Sequence, residues 1–226
     1  MWSSAMPRLP VLGLFVVHAV ACAVPPRMCA FESDCGGRAS CVAGRCVAHG
    51  ATAAVDTARR LLFSPVDVVY VGSGEDGRDA VIATLGRKRS ASAALLLRFS
   101  ASLPPEANVL EAYVLLERAS DIDADPTPVA LRAGRVLDPW DSGTVSASRR
   151  PRVDDSGAPM TRVFLSGPSL VRLDVRELVQ RWRRRSGDDF GVAVLAEGES
   201  ATGVAFALAP VGGTAFAGPR LELYVK

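Results

Sequence analysis

Short apolar segments at regular intervals constrain the fold of this chain more than any other feature of its sequence. Nine segments are rich in branched or aromatic residues, and each is bounded by Gly, Pro, Asp or Ser. They lie at 66–71, 79–85, 93–99, 109–117, 128–133, 169–175, 190–196, 203–209 and 220–225. Strands at this spacing that do not alternate regularly with helices predict an all-β, antiparallel β-sandwich.

Two of these segments alternate clearly between apolar and polar residues. In 109–117 the apolar set is Leu110, Ala112, Val114 and Leu116, and the other set is Glu111, Tyr113 and Glu117. In 220–225 the apolar set is Leu221, Leu223 and Val225, and the other set is Arg220 and Glu222. Because successive side chains of a strand point to opposite faces, each segment is predicted to have one buried face and one wetter face.

One stretch has a helical period instead. Its apolar residues recur at positions i, i+3, i+4 and i+7: Val175, Leu178, Val179 and Trp182. Asp174 is placed to cap the start of this helix, and Glu177 is placed to complete a capping box. The sequence therefore predicts one short amphipathic helix that buries Trp182.

Composition favours a folded domain and argues against nucleic-acid binding. The chain has 226 residues, of which 49% are hydrophobic and 22% are charged, enough for a domain of about 150 residues with small attachments. The formal net charge of +2 gives no electrostatic footprint for nucleic acid.

Residues 1–21 are predicted to be an export signal. Arg8 supplies the positive end, the apolar run "LPVLGLFVV" follows, and small residues at 19–21 suit cleavage. The apolar run is too short to cross a bilayer. Met1 and Met6 both remain as start positions, because either one begins a complete signal.

Cys22 follows this cleavage site directly. The sequence "AVAC" resembles the lipobox of bacterial lipoproteins, which implies that Cys22 is lipidated and anchors the protein at the outer membrane or cell surface. The alternative is ordinary cleavage at the same bond, which gives a periplasmic or secreted soluble protein. Five cysteines are an odd number for an exported chain, and setting Cys22 aside leaves four.

The other four cysteines are predicted to form two disulfides within a small module at 22–46. They are Cys29, Cys35, Cys41 and Cys46. Their spacing and the predicted export disfavour a zinc site, and three pairings remain open. The stretch is similar to short Cys-rich knots of secreted bacterial proteins, and it is read either as a spacer or as a protein-contact module. Residues 47–62 are predicted to be a linker.

Four motifs in order resemble the bacterial DNRLRE domain over residues 63–226. They are "ALLLRFSASLPPEANVLEAYVLLE" at 94–117, "WDSGTVSASRRP" at 140–151, "RLDVRELVQRWRRRSGDDFGVAVL" at 172–195 and "GPRLELYV" at 218–225. The resemblance implies a jelly-roll-like sandwich whose single helix packs across an open edge. It also implies a likeness to carbohydrate-binding modules, some of which are implicated in binding acidic polysaccharides. Ala147 stands where the family has a second tryptophan.

No enzyme and no cofactor are predicted. The histidines are His18, in the export signal, and His49, in the linker, so the predicted domain lacks the commonest general base and the commonest zinc ligand. No pair of carboxylates is marked by its spacing for glycoside hydrolysis.

Candidate ligand-binding residues lie at the helix end and before it. The cationic group is Arg181, Arg183, Arg184 and Arg185, which suits an acidic polysaccharide or a lipid phosphate. The alternative is that these arginines only complement the negative end of the helix dipole. Trp140 is a candidate sugar-stacking platform, with core filler as its alternative.

The acidic run "DIDAD" is a candidate calcium loop. Asp121, Asp123 and Asp125 alternate as calcium ligands do, but Pro126 and Arg132 occupy the glycine and glutamate positions of an EF-hand. The alternative is a solvated acidic loop, and no metal is predicted with the fold.

The sequence therefore predicts a non-catalytic lipoprotein of the cell envelope or surface. Its sandwich is expected to bind polysaccharide or mediate adhesion, with acidic polysaccharide or envelope proteins as partners. The lipid anchor is its only expected contact with membrane, and no nucleic acid is expected. The alternative is a structural or protein-interaction module of the envelope without a sugar site.

Overall fold

The computed structural model describes residues 29, 32–36, 39–42, 44–48, 58–72, 80–88, 92–104, 106–119, 127–163, 169–184, 190–198, 200–209 and 218–226. Several predictions fall on other residues and lie outside this description: the export signal at 1–21, Cys22, the candidate calcium ligands Asp121, Asp123 and Asp125, and Arg185. No helix within the described ranges is long and apolar enough to cross a bilayer.

The described residues form fourteen strands, one α-helix and one short 3₁₀ turn. The 3₁₀ turn is Glu32–Cys35 and the helix α1 is Arg176–Arg184. The strands are β1 Ala39–Val42, β2 Arg45–Ala48, β3 Arg59–Phe63, β4 Pro65–Val71, β5 Ile82–Leu85, β6 Ala94–Phe99, β7 Val109–Glu117, β8 Val129–Val136, β9 Val153–Asp154, β10 Met160–Val163, β11 Leu170–Asp174, β12 Val192–Glu197, β13 Val204–Ala207 and β14 Arg220–Val225.

Two antiparallel sheets form the body of the protein. Sheet I has the order β10-β8-β12-β6-β4, with β9 pairing with β8, and sheet II has the order β11-β7-β14-β3. The pair β13-β5 forms a third, smaller sheet, and Phe206 of β13 makes a bridge to Arg118 just after β7. Neighbours within a sheet are rarely consecutive in sequence, because the chain crosses repeatedly between the layers. This confirms the predicted antiparallel β-sandwich with one short helix.

The main core lies between the two sheets. The inward residues come from sheet I, sheet II and the small sheet, and they include Leu95, Leu97, Leu131, Val192, Val194, Ala112, Val114, Leu116, Leu221, Leu223 and Phe206. Branched side chains at every second position let these strands bury one face. The predicted inward set of the last strand is confirmed, since Leu221, Leu223 and Val225 all belong to this core.

A β-bulge corrects the predicted pattern of β7. Tyr224 lies opposite Glu111, but the next residue, Val225, lies opposite Val109. Leu110 is skipped in the pairing, so Val109 faces the core and Leu110 is only half-buried. An extra residue in one strand reverses the alternation from that point on.

The end of the predicted linker is a strand of the sandwich. β3 pairs with β14 along its whole length, from Leu221 opposite Phe63 to Val225 opposite Arg59. The sequence of β3, "RRLLF", does not alternate between apolar and polar residues, so it gave no strand signal. An edge strand tolerates such a sequence because one of its sides has no neighbouring strand. A sandwich fragment that began at residue 63 would lose this strand.

The helix α1 follows its sequence pattern closely. Asp174 Oδ1 accepts a hydrogen bond from the backbone N–H of Arg176 at 2.9 Å, as a capping residue does. Val175, Val179 and Trp182 are buried in the main core, and Leu178 packs against it. Gln180 Nε2 donates to the carbonyl oxygen of Val109 on β7 at 3.3 Å. The predicted burial of Trp182 by a helix packed on the sandwich is confirmed.

The cysteine-rich module is a small hairpin held by two disulfides. Cys29 is bonded to Cys41, and Cys35 is bonded to Cys46, which selects one of the three pairings that the sequence leaves open. β1 and β2 pair in register, with Cys41 opposite Cys46. Sulfurs of Cys29, Cys35 and Cys46 lie within 4.8 Å of one another because the two bridges are adjacent. Sulfurs joined in disulfides offer no thiolate ligands for a metal.

Candidate functional site

A cleft runs along one flank of α1, between the helix and the turn that joins β9 to β10. Its volume is about 370 Å³. The polar side chains that line it include Asp154 on the turn side, and Arg176, Glu177, Gln180 and Arg181 on the helix side. These residues share the cleft because α1 starts directly after β11, which brings its first turns beside the β9–β10 turn.

The carboxylate of Asp154 is held in place at the edge of this cleft. Its carboxylate accepts hydrogen bonds from the backbone N–H and the hydroxyl of Ser156, and these bonds hold its pKa below the usual range. Arg135 and Arg181 approach the same carboxylate only loosely, at 3.9 and 4.0 Å. Together with the acidic residues at the start of α1, Asp154 makes the cleft mixed in charge, with donors and acceptors suited to hydroxyl groups.

A shallower groove lies at the C-terminal half of α1. It has a volume of about 250 Å³ and is lined by Asn108, Val109, Gln180, Arg183 and Arg184. Arginine supplies every formal charge in this lining, so the groove is cationic. Gln180 lines both the groove and the cleft, so the two depressions meet at that side chain.

The structure brings three of the four candidate arginines onto one helix. The side chain of Arg181 is 45% exposed, and Arg183 and Arg184 are also exposed. Arg184 Nε donates to the carbonyl oxygen of Gln180 at 3.2 Å, which is how a cation satisfies the end of a helix. Arg184 therefore has both proposed roles, because its Nε bonds to the end of the helix and its side chain also lines the groove.

Trp140 does not belong to this site. Its ring is 7% exposed, and its Nε1 donates to the carbonyl oxygen of Phe190 at 2.6 Å. The Arg98 guanidinium lies 5.0 Å from the ring centroid. A sugar needs an open ring face for stacking, so this tryptophan fills space.

The space that Trp140 fills is a second apolar cluster on the outer face of sheet I. Its buried members are Val69, Val71, Leu96, Val136, Trp140 and Ala193. The loop after β8 covers this face and is tied down by Asp138 and Arg152, whose side chains pair at 2.6 Å. These bonds hold the pKa of Asp138 at about 2. A hollow of about 400 Å³ beside this loop is bordered by an edge of Trp140 together with Arg149 and Arg150. The Arg150 side chain is engaged there, because it bonds to backbone carbonyls of Ser92 and Val71.

No aromatic side chain within the described ranges is strongly exposed, and Phe63, Tyr113 and Phe190 are half-buried. Within the described ranges, the large hydrophobic residues that are strongly exposed are Leu62, Val66, Val81, Ile82 and Met160, all aliphatic. Binding modules for neutral sugars usually stack the ring faces of the sugar on aromatic side chains. The depressions along α1 offer charge and hydrogen bonding for recognition.

Two residues of this site had no signal in the sequence. Asp154 and Gln180 are 26 positions apart, and only the packing of α1 beside the β9–β10 turn brings them to one cleft. Comparison with known protein families and with curated protein sequences finds no match to this chain.

Proposed function

We propose that this protein is a non-catalytic component of the bacterial cell envelope or surface whose sandwich binds an acidic polysaccharide along α1. The observation that supports this most is the cationic groove of Arg183 and Arg184, which meets a hydroxyl-compatible cleft at Gln180. Carboxylates of the polymer bind the arginines of the groove, and sugar hydroxyls bind the polar groups of the cleft.

The choice of an acidic ligand follows from the chemistry of the surface. Guanidinium groups bind carboxylates with paired hydrogen bonds, which gives orientation as well as attraction. The described surface offers no strongly exposed aromatic ring for a neutral sugar. A repeating acidic polymer also presents several carboxylates to one groove, which raises its apparent affinity.

The envelope location rests on the N-terminus. Lipidation of Cys22 anchors the chain, as its resemblance to a lipobox implies. The two disulfides support an oxidising compartment, where such bonds persist. The resemblance to the DNRLRE domain adds the expectation of a surface polysaccharide as ligand.

Affinity electrophoresis of the full chain tests this proposal. We expect gels containing polygalacturonate or alginate to retard the protein, and gels containing neutral dextran to leave its mobility unchanged. Added salt weakens the retardation, because the attraction between exposed charges is screened. The double variant Arg183→Ala/Arg184→Ala is expected to lose most of the retardation.

A matched control keeps the change in net charge constant. Arg87→Ala/Arg162→Ala removes two exposed arginines that line neither the cleft nor the groove, and it is expected to be retarded like the wild type. Equal loss in both double variants would mean that net charge alone, and no groove, attracts the polymer. Absence of retardation by either acidic polymer would contradict the proposal.

A protein-interaction module of the envelope is the second candidate. Sheet I ends in the edge strands β10 and β4, and each exposes a large apolar side chain, Met160 at 59% and Val66 at 58%. An edge strand with an apolar side chain suits the addition of a strand from a partner. Capture of an envelope protein by the wild type, and its loss in Val66→Lys or Met160→Lys, would favour this candidate.

A further inference from the structure

We infer that the disulfide module is a fixed mount for the sandwich, docked on the outer face of sheet II by Arg172. A spacer would move independently of the domain that follows it. The contacts that Cys29 and Gly44 of the module make with the sandwich instead form a specific clamp. The disulfide module therefore sets the orientation in which the sandwich is held from its N-terminus.

Arg172 is the centre of the clamp. Its Nη1 donates to the carbonyl oxygen of Cys29 at 3.0 Å, and its Nε donates to Glu222 Oε2 at 3.2 Å. The side chain is 11% exposed, so it is shielded from water on the face of β11 that points away from the main core. One guanidinium thus joins the backbone of the module to a carboxylate of the sandwich.

Glycine at position 44 fits the module against this side chain. Gly44 is buried with φ +80°, and a Cβ added to it would lie 3.2 Å from Cδ of Arg172. Its carbonyl oxygen accepts a hydrogen bond from the N–H of Cys29 at 2.9 Å. The turn between β1 and β2 therefore places the carbonyl of Cys29 and the backbone of Gly44 against the side chain of Arg172.

The carboxylate beneath the clamp is held as firmly as its partner. Glu222 is 0% exposed, and its Oε1 accepts hydrogen bonds from Arg60 at 2.7 Å and from the Tyr224 hydroxyl at 3.2 Å. A buried carboxylate with three donors keeps a defined position, and it holds Arg172 in turn. The docking surface is thus part of the structure of sheet II.

The segment before the module is short, so a docked module also fixes how the sandwich faces a membrane. Cys22 and Cys29 are seven residues apart, which is about 25 Å at full extension. A lipid on Cys22 would hold the outer face of sheet II near the bilayer, and the opposite sheet would face away from it. This last step rests on the proposed lipid anchor, but the docking itself does not.

Nitrogen-15 relaxation of the full chain, produced in an oxidising compartment, tests the inference. In the wild type we expect amides at 39–48 and amides in sheets I and II to report the same rotational correlation time. In Arg172→Ala the value for 39–48 is expected to fall by at least half, while the value for the sheets stays constant. Arg162→Ala, an exposed arginine on β10, is expected to change neither.

Independent tumbling of 39–48 in the wild type would overturn the inference, and so would common tumbling in Arg172→Ala. Should Arg172→Ala fail to fold, Arg172→Lys keeps a charge beside Glu222 but cannot span both acceptors, and faster motion of 39–48 is expected there too. Mass analysis of the N-terminal peptide and polygalacturonate binding by the same samples report on the proposed function separately. Their failure leaves the relaxation result standing.

Discussion

Glu222 lies on the side of β14 that alternation predicts to be the wetter one, yet its carboxylate is completely buried. The alternation correctly assigned its direction, away from the main core. It could not reveal what covers that face, because Arg60 and Arg172 are 162 and 50 positions away in sequence. Period-two patterns report which side of a strand a residue is on, whereas burial of a polar residue depends on distant partners.

The carboxylate of Asp138 provides a pH-dependent test at the scale of one residue. Bonds from Arg152 lower its pKa from 3.8 to about 2, so the unfolded state binds a proton first as the pH falls. The resulting stability is fully present above about pH 4 and is lost as the pH falls toward 2. We expect Asp138→Asn to flatten the decline of the free energy of unfolding between pH 4 and pH 2, measured by urea denaturation. An unchanged slope would contradict the role of this pair.

Gly191 is required by a close approach of two strands. Its φ is +102°, and an added Cβ would lie 2.3 Å from the carbonyl oxygen of Leu97 on β6. Gly191→Ala is expected to lower the free energy of unfolding by about 2 kcal/mol or more, from backbone strain and displacement of β6. Gly198→Ala is the matched control, since Gly198 also has positive φ but no atom within 4 Å of the added Cβ. Equal losses in the two variants would argue against the close approach.

At the scale of single elements, strong periodicity was the reliable signal. The spacing of Val175, Val179 and Trp182 fixed both the position of α1 and its buried face. Elements with a weak period were not predicted. β3 begins with two arginines, and β9 has only two residues, too few to show a period. The bulge at Leu110 was also not predicted. A bulge is defined by how β7 pairs with β14, and the sequence of β7 alone does not show that pairing.

Truncation of Trp182 tests how much the packing of α1 contributes to the stability of the sandwich. Its side chain is 8% exposed within the main core, while its Nε1 has no hydrogen-bond partner among the described residues. Trp182→Ala is expected to cost about 3 to 5 kcal/mol in the free energy of unfolding, because it leaves a cavity. Trp182→Phe retains most of the apolar contact and removes the unpaired donor, so its cost should be much smaller. A loss below about 1 kcal/mol for Trp182→Ala would contradict the packing of α1.

At the scale of the whole molecule, the sequence predicted the architecture better than the site. Repeated strands and one helix sufficed for an antiparallel sandwich, because burial of apolar faces leaves few other arrangements. The arginines of α1 could be named from the helical pattern. Their neighbours could not, since Asn108 and Asp154 reach α1 only through tertiary packing. Trp140 shows the converse, because an aromatic residue in a loop has the same local signal whether it is buried or exposed.

Mapping of a short oligogalacturonate onto the nitrogen-15-labelled full chain tests the proposed binding along α1 most directly. We expect saturable changes in amide and arginine side-chain shifts that centre on Asn108, Gln180, Arg183 and Arg184 and extend to 154–158. The Arg183→Ala/Arg184→Ala variant should lose these changes, and neutral oligosaccharides of the same length should produce none. Shift changes confined to other surfaces, or no saturable change at all, would contradict binding along α1.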